Sequence, residues 1–263
     1  MPFAEINGID LYYEVHGKGP VVVFAHGRNG SHLTWWQQVP AFSESFRVVT
    51  FDQRGFGQSL DVAERPGRSM FVSDLAALVD HLGLARISIV GQSMGGWTAL
   101  GFAVAHPERM ERLVLADTTA GIAAPPVLEA IGSRREPPQD FLERGLSGAY
   151  RKQNPAGTFL YAQIAGLNPP NPEPLQSLLE GTDGPGADVL GALDVPTLLV
   201  VGEHDPVVSP GMAETCAGLF PDATVEVFPQ AGHSVYFEKP RDFNQKVINF
   251  LAAGPRKARE SAA

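Results

Sequence analysis

The feature that most limits how this chain can fold is a set of six short apolar runs, at residues 21–25, 46–51, 86–90, 112–116, 197–201 and 224–228. Each has the length of a β-strand and is rich in Val, Ile, Leu and Phe. Successive side chains on a strand point to opposite faces, so an unbroken apolar run must be covered on both sides. Helices supply that cover in sheets whose strands run parallel. Segments of helical periodicity lie between and after the runs. Residues 69–82 place Phe71, Leu75, Leu78, Val79 and Leu82 on one face, with Ser69 as the expected N-cap. Residues 97–105 and 243–251 read the same way. Strand alternating with helix predicts βαβ units, a parallel sheet and right-handed crossovers. Ahead of them, Asn7-Gly8 between two alternating apolar segments predicts a tight β-hairpin.

One region breaks this rhythm. Residues 120–190 contain no convincing strand, and proline pairs recur at Pro125-Pro126, Pro137-Pro138 and Pro169-Pro170. The stretches NPPNPEP (168–174) and GTDGPG (181–186) exclude long regular elements. Short helices are predicted at 127–134, 139–151 and 158–167. The predicted fold class is α/β: a mostly parallel central sheet flanked by helices, with a small helical cap inserted between two core strands. The core is assigned to residues 1–119 and 191–253, the cap to 120–190, and a small polar tail, expected to fray, to 254–263.

Composition narrows the function. A chain of 263 residues suits one such domain, and 44% hydrophobic against 19% charged residues is a globular balance. A formal net charge of -9 argues against nucleic acid or an anionic membrane as partner, because both attract basic surfaces. The expected partner is a small molecule; nothing in the sequence reads out an oligomeric state. Cys216 stands alone, so no intrachain disulfide is possible. The stretch MPFAEINGIDLYYEV lacks a basic segment followed by an apolar one, and no apolar run approaches the roughly 18 residues of a membrane helix. No signal peptide and a cytoplasmic location are therefore expected.

The chemistry centres on Gly91-Gln92-Ser93-Met94-Gly95, directly after one apolar run and directly before a helical segment. A chain turning that tightly from strand to helix strains the central residue and leaves no room for bulk two positions either side. A serine hydroxyl held there is a weak nucleophile until a base takes its proton. Downstream come Asp205 in GEHDPVV and His233 in AGHSVYFEKP, each just past an apolar run. Both therefore fall at carboxyl ends of parallel strands, the edge where such sheets carry their sites. Asp117, which ends a run in VLADTT, competes as the acid; the motif around Asp205 favours Asp205. No H-E-x-x-H, no phosphate-binding glycine loop and no paired C-x-x-C is present, so neither metal nor cofactor is expected.

Residues 21–251 resemble the α/β-hydrolase family through FAHGRNG, FDQRGFGQS, GQSMGGW, GEHDPVV and AGHSVYFEKP. The resemblance implies a catalytic triad of Ser93, Asp205 and His233. It also implies an oxyanion hole from the backbone amides of Met94 and Arg28, with His26 bracing that loop. The nucleophile differs from the aspartate of dehalogenase and epoxide-hydrolase relatives and from the cysteine of dienelactone-hydrolase relatives. Small esterases, enol-lactonases and carbon–carbon hydrolases of meta-cleavage products are the nearer likenesses. Trp35, Trp36, Trp97, Val235 and Tyr236 are the candidate substrate-binding residues, with Phe141, Tyr150, Phe159 and Tyr161 facing them from the cap. Arg54 in DQRGFGQS reads as half of a structural ion pair, although a guanidinium there can also meet a substrate carboxylate. An apolar lid predicts a small, largely uncharged ester or lactone. The same triad also serves carbon–carbon cleavage, and some receptors on this fold bind without turnover; the intact triad favours an enzyme.

Overall fold

A computed structural model describes residues 3–64, 66–170 and 183–253. Eight strands form one sheet: β1 (Phe3–Ile6), β2 (Ile9–His16), β3 (Val21–Ala25), β4 (Arg47–Phe51), β5 (Ile87–Gln92), β6 (Met110–Ala116), β7 (Thr197–Gly202) and β8 (Ala223–Phe228). Their spatial order is β1-β2-β4-β3-β5-β6-β7-β8. The first two contacts, β1 with β2 and β2 with β4, are antiparallel; every later one is parallel. The Asn7-Gly8 turn joins β1 to β2 with φ of 47° and 81°, the positive pair that such a hairpin turn needs.

Five of the six runs are largely buried on both faces; the sixth, β8, lies at the sheet edge, where Val227 is 40% exposed. All six residues of β5 and all six of β7 are buried. Alternate residues feed two separate cores. Val23, Ala25, Ile89 and Leu199 pack with Leu75 and Leu78 of α2 (Phe71–His81) and Ala99 and Leu100 of α3 (Gly95–Ala105). Val22, Phe24, Val90 and Val200 pack on the opposite face with Phe42 of α1 (Gln38–Phe42) and with Phe243, Val247 and Leu251 of a long C-terminal helix (Pro240–Ala252). Among the described residues no helix is long and apolar enough to cross a membrane.

The start of α2 departs from expectation. A 3-10 turn (Gly67–Met70) leads into the helix, and Ser69 Oγ donates to the carbonyl of Pro66 at 2.8 Å instead of capping. A serine already in helical backbone reaches back to a carbonyl, whereas capping requires an extended residue.

Between β6 and β7 lie α4 (Pro125–Ser133), α5 (Phe141–Gly145), α6 (Gly148–Gln153) and α7 (Pro155–Gly166), then a short α8 (Ala187–Gly191). The single helix predicted at 139–151 is two, because Leu146 is extended and Ser147 caps α6 by accepting from the Tyr150 amide at 3.1 Å. The break is anchored to the core. Glu238, in the short helix Val235–Glu238, accepts from the Ser147 amide at 2.8 Å and the Ser147 hydroxyl at 2.6 Å. It also accepts from the Gly232 amide at 3.0 Å. Parts of NPPNPEP (171–174) and GTDGPG (181–182), and the tail 254–263, lie outside the described residues.

Arg54, beyond β4, is fully buried and forms the structural ion pair. Its Nε and Nη2 donate to the two carboxylate oxygens of Asp74 at 2.7 and 2.8 Å, and Nη1 donates to Asp61 at 3.2 Å. Nη2 also reaches the Asn7 carbonyl at 3.0 Å, so one guanidinium joins the loop after β4, helix α2 and the first hairpin. Removing one partner of a buried pair strands the other charge. Arg54→Ala should therefore cost about 3–5 kcal/mol of stability, read as a lowered urea midpoint; a loss below about 1 kcal/mol would show the pair to be energetically idle.

Candidate active site

Ser93 follows β5 with φ of 50°, a left-handed conformation that a side-chain-bearing residue adopts only under constraint. The constraint is steric. A Cβ on Gly91 would collide with the carbonyl of Gly95, and one on Gly95 with the carbonyl of Ala25 in β3. Strand and helix meet with no room for side chains between them. Three bonds hold the turn: Ser93 N donates to Ala116 O at 2.9 Å, and Ser93 O accepts from Gly96 N at 2.9 Å and from Thr118 Oγ1 at 2.8 Å.

His233 Nε2 lies 2.9 Å from Ser93 Oγ, and His233 Nδ1 lies 2.8 and 3.0 Å from the two oxygens of Asp205. With the Nδ1 proton donated to Asp205, Nε2 is the acceptor that faces the serine hydroxyl. Asp205 is itself held, since Oδ1 accepts from the amides of Val207 at 2.7 Å and Val208 at 3.0 Å. Gln92 Nε2 donates to the His233 carbonyl at 2.8 Å, tying the histidine loop to the strand that carries Ser93.

Asp117 does not meet the imidazole. At the end of β6, with φ of 52°, its carboxyl accepts from the amides of Gly202 at 3.2 Å and Val235 at 3.1 Å. It braces the loops that carry Asp205 and His233. Complete burial and the nearby Asp205 push its pKa well above the usual carboxylate range.

The loop after β3 faces the nucleophile. His26 is fully buried; Nδ1 donates to the Gly27 carbonyl at 2.8 Å and Nε2 accepts from the Gln53 amide at 3.0 Å. Burial lowers its pKa, so the ring serves as a neutral brace. Arg28 follows that brace, and Met94 stands at the N-terminal edge of α3, where the first amides have no acceptor within the helix. Asn168, just past α7, clasps the same loop: its Nδ2 donates to the Asn29 carbonyl at 2.9 Å and its Oδ1 accepts from Gly57 N at 2.8 Å. A cavity opens onto Ser93 and His233, with Met94, Trp97, Thr118 and Val208 from the core and Phe141 and Tyr161 from the inserted helices.

A sequence model of the alpha/beta hydrolase fold matches residues 20–154 and 141–240. The chain belongs to that family. It is 30% identical to a 2-hydroxy-6-oxo-6-phenylhexa-2,4-dienoate hydrolase of Comamonas testosteroni, covering 95% of both chains. A 2-hydroxy-6-oxononadienedioate/2-hydroxy-6-oxononatrienedioate hydrolase of a Pseudomonas species is 28% identical over 94% of this chain and 93% of its own. A malate-bound structure of a thermophilic esterase from Thermogutta terrifontis superposes with a TM-score of 0.77 at 30% identity, covering 95% of this chain and 96% of that one. This alpha/beta hydrolase is an enzyme by that kinship.

Its cavity differs from the apolar pocket that the sequence suggested. Of the expected wall residues, Trp97 lines the cavity with Ser93. Trp35 is fully buried in the core, its ring 4.8 Å from those of Phe24 and Tyr236. Trp36 is 47% exposed and meets Phe237 edge-on. Val235 points into the sheet face because the helix after His233 turns inward at once; Tyr236 follows it and reaches only a small adjoining cavity. Phe159 is 65% exposed, and Tyr150 packs on Phe237 away from Ser93. Tyr161 stacks on Phe141 at 5.2 Å and bonds Ser234 Oγ at 2.9 Å; burial pushes its phenol up to about 12. Arg28, Arg134 and Arg144 also line the cavity, and the last two come from the inserted segment. Val207 and Val208 were visible in GEHDPVV, whereas Arg134, Arg144 and Asn168 carried no motif that sets them apart.

The two acids separate by experiment. Asp205→Asn should lower kcat/KM by a factor approaching about ten thousand, because an amide sets the wrong imidazole tautomer. Asp117→Asn, which alters a brace, should lower it far less; the opposite ranking on the same ester would reassign the acid.

Proposed function

We propose that this alpha/beta hydrolase cleaves a small ester or lactone through an acyl-enzyme. One observation carries the reading: the continuous relay from Ser93 Oγ through His233 to Asp205, opening into a cavity. Ser93 Oγ attacks the substrate carbonyl while its proton passes to His233 Nε2. The carbonyl oxygen becomes an oxyanion, held by the Met94 and Arg28 amides. Collapse of the tetrahedral adduct expels the alcohol, which takes the proton from His233. Water then adds to the acyl-enzyme with His233 as base, releasing the acid and restoring the serine hydroxyl. Asp205 holds the tautomer and stabilises the imidazolium. One oxyanion donor is worth about a hundredfold or more in rate.

Carbon–carbon cleavage of a dienoate is the second reading, favoured by the names of the two hydrolases at 28% and 30% identity. Both readings use the same serine.

Ser93→Ala should reduce turnover of p-nitrophenyl esters and lactones by several orders of magnitude while leaving the thermal transition in place. Intact-protein mass spectrometry of the wild type, quenched during ester turnover, should show the added acyl mass on Ser93. Activity above a tenth of wild type in Ser93→Ala would reassign the nucleophile. A dienoate hydrolysed about a hundredfold more efficiently than every ester would transfer the assignment to carbon–carbon cleavage.

A further inference from the structure

The two amides assigned to the oxyanion stand on separate elements. Met94 begins α3, whereas Arg28 belongs to the loop after β3. A Cβ on Gly95 would meet the carbonyls of Ala25 and His26, which limits how near helix and loop can come. An attractive contact through Gln53 holds them at that limit. Gln53 lies just past β4 and is 1% exposed; its partners His26 and Thr98 are fully buried. The Gln53 amide donates to His26 Nε2 at 3.0 Å, and its side-chain Nε2 donates to the His26 carbonyl at 2.6 Å. Its Oε1 accepts from Thr98 Oγ1, one turn beyond Met94 on α3. One carboxamide thus grips the loop by a carbonyl and the helix by a hydroxyl.

Thr98 does not use its hydroxyl as other helical residues here do. Ser73, Thr158 and Thr215 donate to carbonyls three or four residues back along the chain, the ordinary destination of such a group. Thr98 instead reaches out of its helix to a partner 45 residues away. Apolar side chains could fill the same space without depending on each other; a matched buried polar pair specifies one relative position.

We propose that Gln53 and Thr98 are positioning residues that set the spacing of the Met94 and Arg28 amides. This role rests on the acyl-enzyme reading of the same site. The oxyanion develops as the carbonyl is attacked, so loosening its two donors weakens the transition state far more than substrate binding.

Thr98→Val keeps the shape of the side chain and cuts the bridge, whereas Thr98→Ser keeps the hydroxyl. On p-nitrophenyl butyrate, Thr98→Val should lower kcat about tenfold with KM changed less than about twofold, and Thr98→Ser should restore most of the loss. A second readout is the single-turnover attack of Ser93 on diethyl p-nitrophenyl phosphate, which forms the Oγ–P bond and releases p-nitrophenolate. Its phosphoryl oxygen calls on the same two amides, so the rate should fall about tenfold in Thr98→Val and recover in Thr98→Ser. Gln53→Met should lower kcat at least as much, and adding Thr98→Val to it should cost little more, because both cut one bridge. Should Thr98→Val not fold, Gln53→Met carries the same test of kcat against KM. Unchanged kcat, equal losses in Thr98→Val and Thr98→Ser, an effect confined to KM, or additive losses in the double variant each overturn the proposal. If the wild type cleaves no ester yet reacts with the phosphate, the ester reading fails and the phosphate rates decide the bridge. If Ser93 reacts with neither, both are overturned.

Discussion

The close approach of β5 to α3 at Gly91 and Gly95 is the contact on which the rest of the site depends. Those two positions accept no Cβ, so the backbone between them crosses from strand to helix in a left-handed turn at Ser93. A left-handed non-glycine residue costs of order 1–3 kcal/mol. The turn persists because the parallel sheet holds Ala25 and Ala116 on either side, one marking the limit of approach and the other accepting the Ser93 amide. The strain puts the hydroxyl at the carboxyl edge of the sheet, where loops after β3, β6, β7 and β8 converge.

Convergence alone does not align an imidazole to within hydrogen-bond distance of a hydroxyl. Buried polar braces do that here. Asp117 ties the end of β7 to the helix after His233, Gln92 holds the histidine carbonyl, and Glu238 links the histidine loop to the inserted helices. His26 and Asn168 hold the loop bearing Arg28 and Asn29 from two sides. Each brace satisfies backbone groups that would otherwise be stranded where water is excluded. Such a network favours one arrangement of the loops over many similar ones.

Much of this was legible in the sequence, for reasons that differ by residue. The central strands declared themselves because a strand covered on both faces is built mostly from apolar residues. Ser93, Asp205 and His233 stood out because each sits in a short motif at the end of such a strand. Asn7-Gly8 was readable because few pairs tolerate two positive φ values. The misplaced aromatics show the limit. Trp35 and Tyr236 neighbour the motifs in sequence, but they point into the core because of how the short helical turns after Ser31 and Ser234 dock on the sheet.

The sequence by itself determined the parallel sheet, the strained turn at Ser93 and the placing of Ser93, His233 and two rival acids at strand ends, since each follows from local sterics or from a motif bound to a strand end. Only the tertiary structure decided which acid faces His233, where the inserted helices rest and which side chains they bring over Ser93. Those outcomes depend on docking between segments far apart in the chain. Nothing local distinguishes Arg134 or Arg144 from any surface arginine, or Asn168 from any residue of a proline-rich turn. Their place in the cavity and at its clasp exists only once the helices of the insertion have packed onto the sheet.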